Sequence, residues 1–178
     1  MPKNKVCLLA LVVVLVGMTF SLTGCGKQLP EEDAYRFYNL IQVGQTRTEV
    51  EAALGVTPEE SNSEFNYINE DNGFGVTIAY DSNNKVTAKT IYNADEDKFL
   101  RYNKSEVSAD QKASITQGMT YKQVTDILGS EGLEVSTLEN PLDKTTPIYV
   151  MIWLNKDKTG YFISFVGKKG TVATVEYY

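Results

Sequence analysis

Two stretches of this chain, Ile41 to Gly55 (IQVGQTRTEVEAALG) and Ile115 to Gly129 (ITQGMTYKQVTDILG), carry one pattern twice at a constant shift of 74 residues. Ile41 matches Ile115, Gly44 matches Gly118, Thr46 matches Thr120, Val50 matches Val124, Leu54 matches Leu128 and Gly55 matches Gly129. Thr46 with Glu49, and Thr120 with Gln123, predict capping boxes, in which a hydroxyl and the side chain three residues on satisfy each other's backbone N–H groups. Gly44 and Gly118 predict a sharp turn ahead of each helix, and Gly55 and Gly129 a left-handed helix end. Val50, Ala53 and Leu54, and then Val124, Ile127 and Leu128, fall at the spacing of one buried helical stripe. Upstream, Ala34, Tyr38 and Ile41 share a face of an earlier helix, and Ser108 with Gln111 offers a further cap.

Beyond the helices the apolar period changes to two. Strands are predicted at Glu64 to Asn69, Gly75 to Tyr80 and Lys85 to Tyr92, joined by turn-rich EDNG and DSNN. The segment from Val150 to Tyr178 repeats this plan at a shift of 86, and the extra 12 residues sit in EGLEVSTLENPLDKTTPIY, where Leu133 to Leu138 reads as a further strand. The expected fold is α+β: two tandem units, each a helix-turn-helix packed on one face of an antiparallel β-sheet of three to four strands. The expected boundaries are 1–24 for a signal peptide, 25–32 for a tether, 33–92 for the first unit, 93–107 for a linker and 108–178 for the second. A unit of this size buries only a marginal core alone, so the two should pack together.

The N-terminus resembles a lipoprotein signal peptide: Lys3 and Lys5, an apolar run from Val6 to Phe20, and the lipobox Leu22-Thr23-Gly24-Cys25. The run is shorter than the roughly 20 residues a bilayer-spanning helix needs. The resemblance implies export, cleavage before Cys25, and a diacylglycerol (palmitate-bearing) anchor on its sulfur that holds the protein at a membrane without spanning it. Lys- and Asn-rich composition favours a Gram-positive cell surface, with an outer membrane as the alternative.

Composition narrows the chemistry. Cys7 leaves with the signal and Cys25 is lipidated, so no disulfide is expected. The chain has no histidine, which removes the commonest general base and zinc ligand. Glu59-Glu60 and Asp95-Glu96-Asp97 lack calcium-loop spacing, and GKKG, Gly167 to Gly170, reads as a hairpin turn. No enzyme activity, metal or cofactor is expected. The net charge of −6, with lysines scattered among acids, shows no basic stripe for nucleic acid.

The motif F/Y-x-x-I-x-x-G-M/Q-T-x-x-x-V-x-x-x-x-G, in tandem and followed by antiparallel strands, resembles the β-lactamase inhibitor protein (BLIP) family. It is similar also to the small SmpA/OmlA-type outer-membrane lipoproteins, which carry one such unit. The BLIP resemblance implies that two sheets align into a concave face that binds another protein, aided by a protruding hairpin loop in the first unit. By position that loop is EDNGFG, with Asp71 near its tip and Phe74 as the apolar neighbour. The chain departs from the inhibitor in lacking its disulfides and in carrying a lipobox.

Alternation in the first unit places Phe65, Tyr67, Val76, Ile78, Tyr80, Val86 and Ala88 toward the helices. Carried over at the shift of 86, the opposite face of the second unit holds Ile152, Leu154, Ile163, Phe165, Ala173, Val175 and Tyr177, while Trp153, matching Tyr67, is core. So apolar a face is either a binding site or is covered by the 12-residue insertion, the linker or the other unit. The candidate protein-binding residues are Ile152, Leu154, Ile163, Phe165, Val175, Tyr177, Asp71 and Phe74. The expected function is a lipid-anchored extracytoplasmic protein-binding module acting through an open sheet face. A structural or assembly subunit of an envelope complex is the alternative reading, and β-lactamase inhibition a third. The expected partners are a membrane, through lipid on Cys25, and another protein.

Overall fold

Thr46 and Thr120 both close the capping boxes expected of them, and Ser108 with Gln111 closes a third. These caps start three of the four helices found among the described residues, which in the computed structural model are 30–93, 101–102 and 105–177. The signal segment, Cys25 and most of the expected tether and linker lie outside them. The helices are α1 (Pro30–Leu40), α2 (Arg47–Leu54), α3 (Ala109–Ala113) and α4 (Tyr121–Leu128). The strands are β1 (Glu59–Ser61), β2 (Glu64–Ile68), β3 (Phe74–Tyr80), β4 (Val86–Asn93), β5 (Leu133–Leu138), β6 (Ile148–Leu154), β7 (Gly160–Val166) and β8 (Thr171–Tyr177). None of the described helices is long and apolar enough to cross a membrane.

The fold is α+β, and all eight strands form one antiparallel sheet in chain order, β1 to β8. The two groups of strands are continuous with each other: β4 and β5 pair through Ala88–Leu138, Lys89–Thr137 and Thr90–Ser136. The short strand β1 escaped the sequence reading because Glu59, Glu60 and Ser61 are all exposed and carry no alternation.

The glycine turns have a specific task. Gly44 donates its N–H to the Val86 carbonyl (2.8 Å) and Gly118 donates to Val172 (2.9 Å), so each turn is stitched to the fourth strand of its half. Both glycines hold φ near +90° (91° and 86°), a region costly for any residue with a Cβ.

Two cores result. Tyr38, Ile41, Val50, Leu54, Tyr67, Val76, Ile78 and Val86 pack in the N-terminal half. In the C-terminal half Ile115, Tyr121, Val124, Leu128, Met151, Trp153, Ile163, Phe165 and Val172 do the same. Ala53, expected in the helical stripe, is exposed. Tyr121, Trp153 and Phe165 form an aromatic trio with centroids 5.2–6.4 Å apart. The indole donates to the Ser130 carbonyl at 3.0 Å. Gly132 lies flat against the ring, where an added Cβ would come within 2.6–2.8 Å of its carbons.

A third cluster joins the halves at one rim of the sheet: Ala34 and Phe74 from the first, Val135, Ile152 and Leu154 from the second, with Tyr102 of the linker packed against them.

Phe165 is fully buried and Phe162, on the same strand, is half-buried and faces the other way. Phe165→Ala is expected to lower unfolding free energy by about 3–5 kcal/mol in urea titrations, and Phe162→Ala by clearly less; equal losses would contradict this assignment of faces.

Candidate functional site

Register pairs run straight across the sheet and assign each side chain to a face. One row, Phe65, Ile78, Lys89, Thr137, Tyr149, Phe165 and Val172, looks toward the helices. The adjacent row, Asn66, Thr77, Thr90, Ser136, Val150, Ser164 and Thr174, looks the opposite way. Apart from Val150, this second row is a band of hydroxyl and amide groups, partly tied together. Thr77 donates to Asn66 Oδ1 (2.7 Å), and Thr90 and Ser136 share a 2.9 Å hydrogen bond across the β4–β5 pair. Half-buried Leu138 and Ile148 border the band on one side, and Tyr92 and Phe162 on the other. This face is thus polar along its middle and apolar at its borders.

Two loops extend from opposite ends of the sheet. The β2–β3 turn is rigid: Gly73 donates to the Asn69 carbonyl (2.8 Å), Asp71 N–H to Asn69 Oδ1 (3.1 Å) and Phe74 N–H to Asn72 Oδ1 (2.9 Å). The Asp71 carboxylate is exposed there. In the β5–β6 loop Leu142 is 95% exposed, although its N–H is held by Asn140 Oδ1 at 3.0 Å.

On the helix side, the middle of the sheet holds a polar seam. Lys89, 8% exposed, donates to the carbonyls of Tyr38 (2.9 Å) and Ile41 (2.8 Å) at the end of α1 and lies 3.8 Å from the Tyr38 ring centroid. A cation there suits the negative end of the helix dipole. Glu134 Oε1 accepts from Tyr38 Oη (2.9 Å) and Thr137 Oγ1 (3.2 Å), and its Oε2 lies 3.3 Å from Lys168 Nζ. Tyr35 Oη donates to the Glu134 carbonyl at 2.8 Å. The seam opens into a cleft of about 390 Å³ between α1 and strands β5 and β6.

A protein-family model described as "Beta-lactamase inhibitor (BLIP)" matches residues 34–152, from the first helix through β6. The chain belongs to the BLIP family. No curated protein matches it in sequence. The match runs through the β4–β5 junction, so the family pattern covers the joint as well as the first half.

Within this BLIP-family fold most of the residues expected to form an open apolar patch are placed elsewhere. Ile163 and Phe165 are buried beneath α4, and half-buried Val175 packs against the same core. Tyr177 pairs with Tyr161 through the backbone, and its side chain lies outside the described residues. Ile152 and Leu154 do point away from the helices, but each is 4% exposed in the rim cluster, covered by the linker and the first half. Phe74 is 4% exposed in that same cluster, which leaves Asp71 as the exposed member of the EDNGFG pair.

The misplacement of Ile163 and Phe165 has one cause. Residues 69–74 lie between the paired Ile68 and Gly75, but only 155–159 between Leu154 and Gly160. The next turn restores the count: 81–85 separate Tyr80 from Val86, and 166–171 separate Phe165 from Val172. The true shift is therefore 85 along β7 alone, and a one-residue slip turns every side chain to the other face. Ala88 and Val175 were misassigned by a different device, a β-bulge that both halves share, at Thr87 in the first and Ala173 in the second. Past it, Lys89 and Ile91 replace Ala88 and Thr90 on the helix side. Val150 and Phe162, half-buried on the face away from the helices where they pack against the rim cluster, were missed for the β7 reason and because β6 is apolar on both sides.

Burial pulls the Lys89 ammonium down to about 8, with Lys168 adding to the effect and Glu134 opposing it. The unfolded chain, with a lysine near 10.4, then holds more protons than the folded one between about pH 8 and 10.4, so stability rises with pH across that window. Burial also raises the Tyr38 and Tyr80 phenols, so the folded state holds more protons above about pH 10 and stability falls there. Urea midpoints measured from about pH 7 to 11 should rise and then fall. Lys89→Met should remove the rise and keep the fall.

Proposed function

We propose that this BLIP-family chain is a non-enzymatic, lipid-anchored extracytoplasmic module that binds another protein through the sheet face opposite the helices. The observation that carries the reading is a row across seven strands, Asn66 to Thr174, polar except at Val150, bordered by half-buried Leu138, Ile148, Tyr92 and Phe162 and joined across β4–β5 into one surface. The matched caps, glycine turns and bulges support two BLIP-like units in tandem, related in fold to the single-unit SmpA/OmlA-type lipoproteins. Exposed Asp71, on its ordered turn, is a rim contact. Among the described residues no three acidic side chains gather into a metal-binding group, and the sequence has no histidine, which favours binding over catalysis. The lipobox Leu22 to Cys25 supports the anchor, with the Gram-positive surface preferred.

Two experiments test this. Metabolic labelling with palmitate should tag the parent chain and leave Cys25→Ser unlabelled; equal labelling would remove the anchor. For the face, the chain from Gly26 onward is immobilised and offered solubilised envelope, culture medium and a purified β-lactamase, the last chosen because the family carries that name. A protein retained by the parent should be lost by Val150→Asp, Phe162→Asp with unchanged circular dichroism. Retention of the same proteins by both baits would overturn the open face as the site.

A further inference from the structure

The cleft on the helix side holds a charged side chain where the other half of the chain has an aliphatic one. Lys89 and Val175 occupy matching places: each follows the shared bulge by two residues and pairs with the third strand, at Ile78 or Ile163. The second half fills the position with an aliphatic side chain. At the same position the first half buries an ammonium, which costs several kcal/mol unless its protons are well satisfied. Two of its three protons go to the Tyr38 and Ile41 carbonyls. An ammonium has three donors; the group also faces the Tyr38 ring, 3.8 Å from its centroid, and lines the cleft.

The remaining groups make the cleft a donor-rich site. Both carboxylate oxygens of Glu134 are engaged, one by Tyr38 and Thr137 and the other by Lys168. The carbonyl end of α1 is neutralised by Lys89 itself. Lys168, its side chain 65% exposed, stands at the mouth with donor capacity beyond its one carboxylate. Asn39 and Gln42 add exposed amide groups on the opposite wall. Two ammonium groups against one carboxylate leave a single positive charge. That balance suits one negative charge spread over two acceptors; a phosphate dianion would be repelled by Glu134. The volume is at the small end of ligand sites.

We propose that this cleft binds a carboxylate group, carried by a small organic acid or by an acidic side chain of a bound protein segment. The site lies on the face opposite the proposed protein-binding surface and stands independently of it.

Amide shifts of Lys89, Thr137 and Tyr149 are followed by NMR while sodium succinate or a tetraglutamate peptide is added, with ionic strength held constant by sodium chloride. Saturating shifts are expected with at least one probe, weakened about tenfold or more in Lys168→Gln. Lys89→Met, checked for folding by circular dichroism, should abolish them. Saturation by succinate alone assigns the cleft to a free acid, by the peptide alone to a protein segment, and by both to the carboxylate itself. Shifts that fail to saturate with either probe, or that saturate equally in Lys168→Gln, would overturn the proposal.

Discussion

The pairing of β4 with β5 is the constraint on which the rest of this molecule depends. Three register pairs convert two four-stranded halves, each with a core of its own, into one sheet. They also fix the helices of both halves to the same side, because Lys89, Thr137, Tyr149 and Phe165 follow one another in a single row. The other side is thereby kept as a continuous surface. Apolar burial alone does not set this joint: a polar seam lines one face of it and the Thr90–Ser136 pair the other, with the rim cluster closing one end. Buried polar groups are directional, so they fix register where aliphatic contacts would tolerate sliding.

Local rules were legible in the sequence wherever a residue's task is set by its immediate neighbours. All three capping boxes, the left-handed glycines at 55 and 129 and the strand from Leu133 to Leu138 follow from short-range pattern, and the core position of Trp153 follows from its match to Tyr67, where the shift of 86 holds. Face assignment failed where it depends on counting across a turn. The shortened β6–β7 turn and lengthened β7–β8 turn cancel over the whole unit, so an alignment by its ends looks constant while β7 inside it is inverted. The bulge at Thr87 is equally silent, since nothing in TVATVEY or VTAKTIY marks the extra residue. Cover by the linker or the other unit was among the readings of the apolar face, but the members of the rim cluster could not be named, because it assembles α1, β3, the linker, β5 and β6 from distant parts of the chain.

The division of labour between the two faces follows from these facts. Helices bury one side except at the middle, where α1 ends and Lys89, Glu134 and Lys168 leave a donor-rich cleft. The opposite side presents hydroxyl and amide groups between half-buried apolar borders. The two halves differ where they meet: a lysine against a valine on the fourth strand, and a longer β5 that reaches β4 and leads into the loop carrying the exposed Leu142.

The most direct test of the account is whether the halves unfold as one body. Trp153, the single tryptophan, reports on the second core by fluorescence, and the methyl resonance of Ile78 reports on the first by NMR, both followed through the same urea titration. Coincident transitions are predicted, since the β4–β5 ladder, the polar seam and the rim cluster couple the two cores. Two separated midpoints would contradict a single sheet acting as one surface.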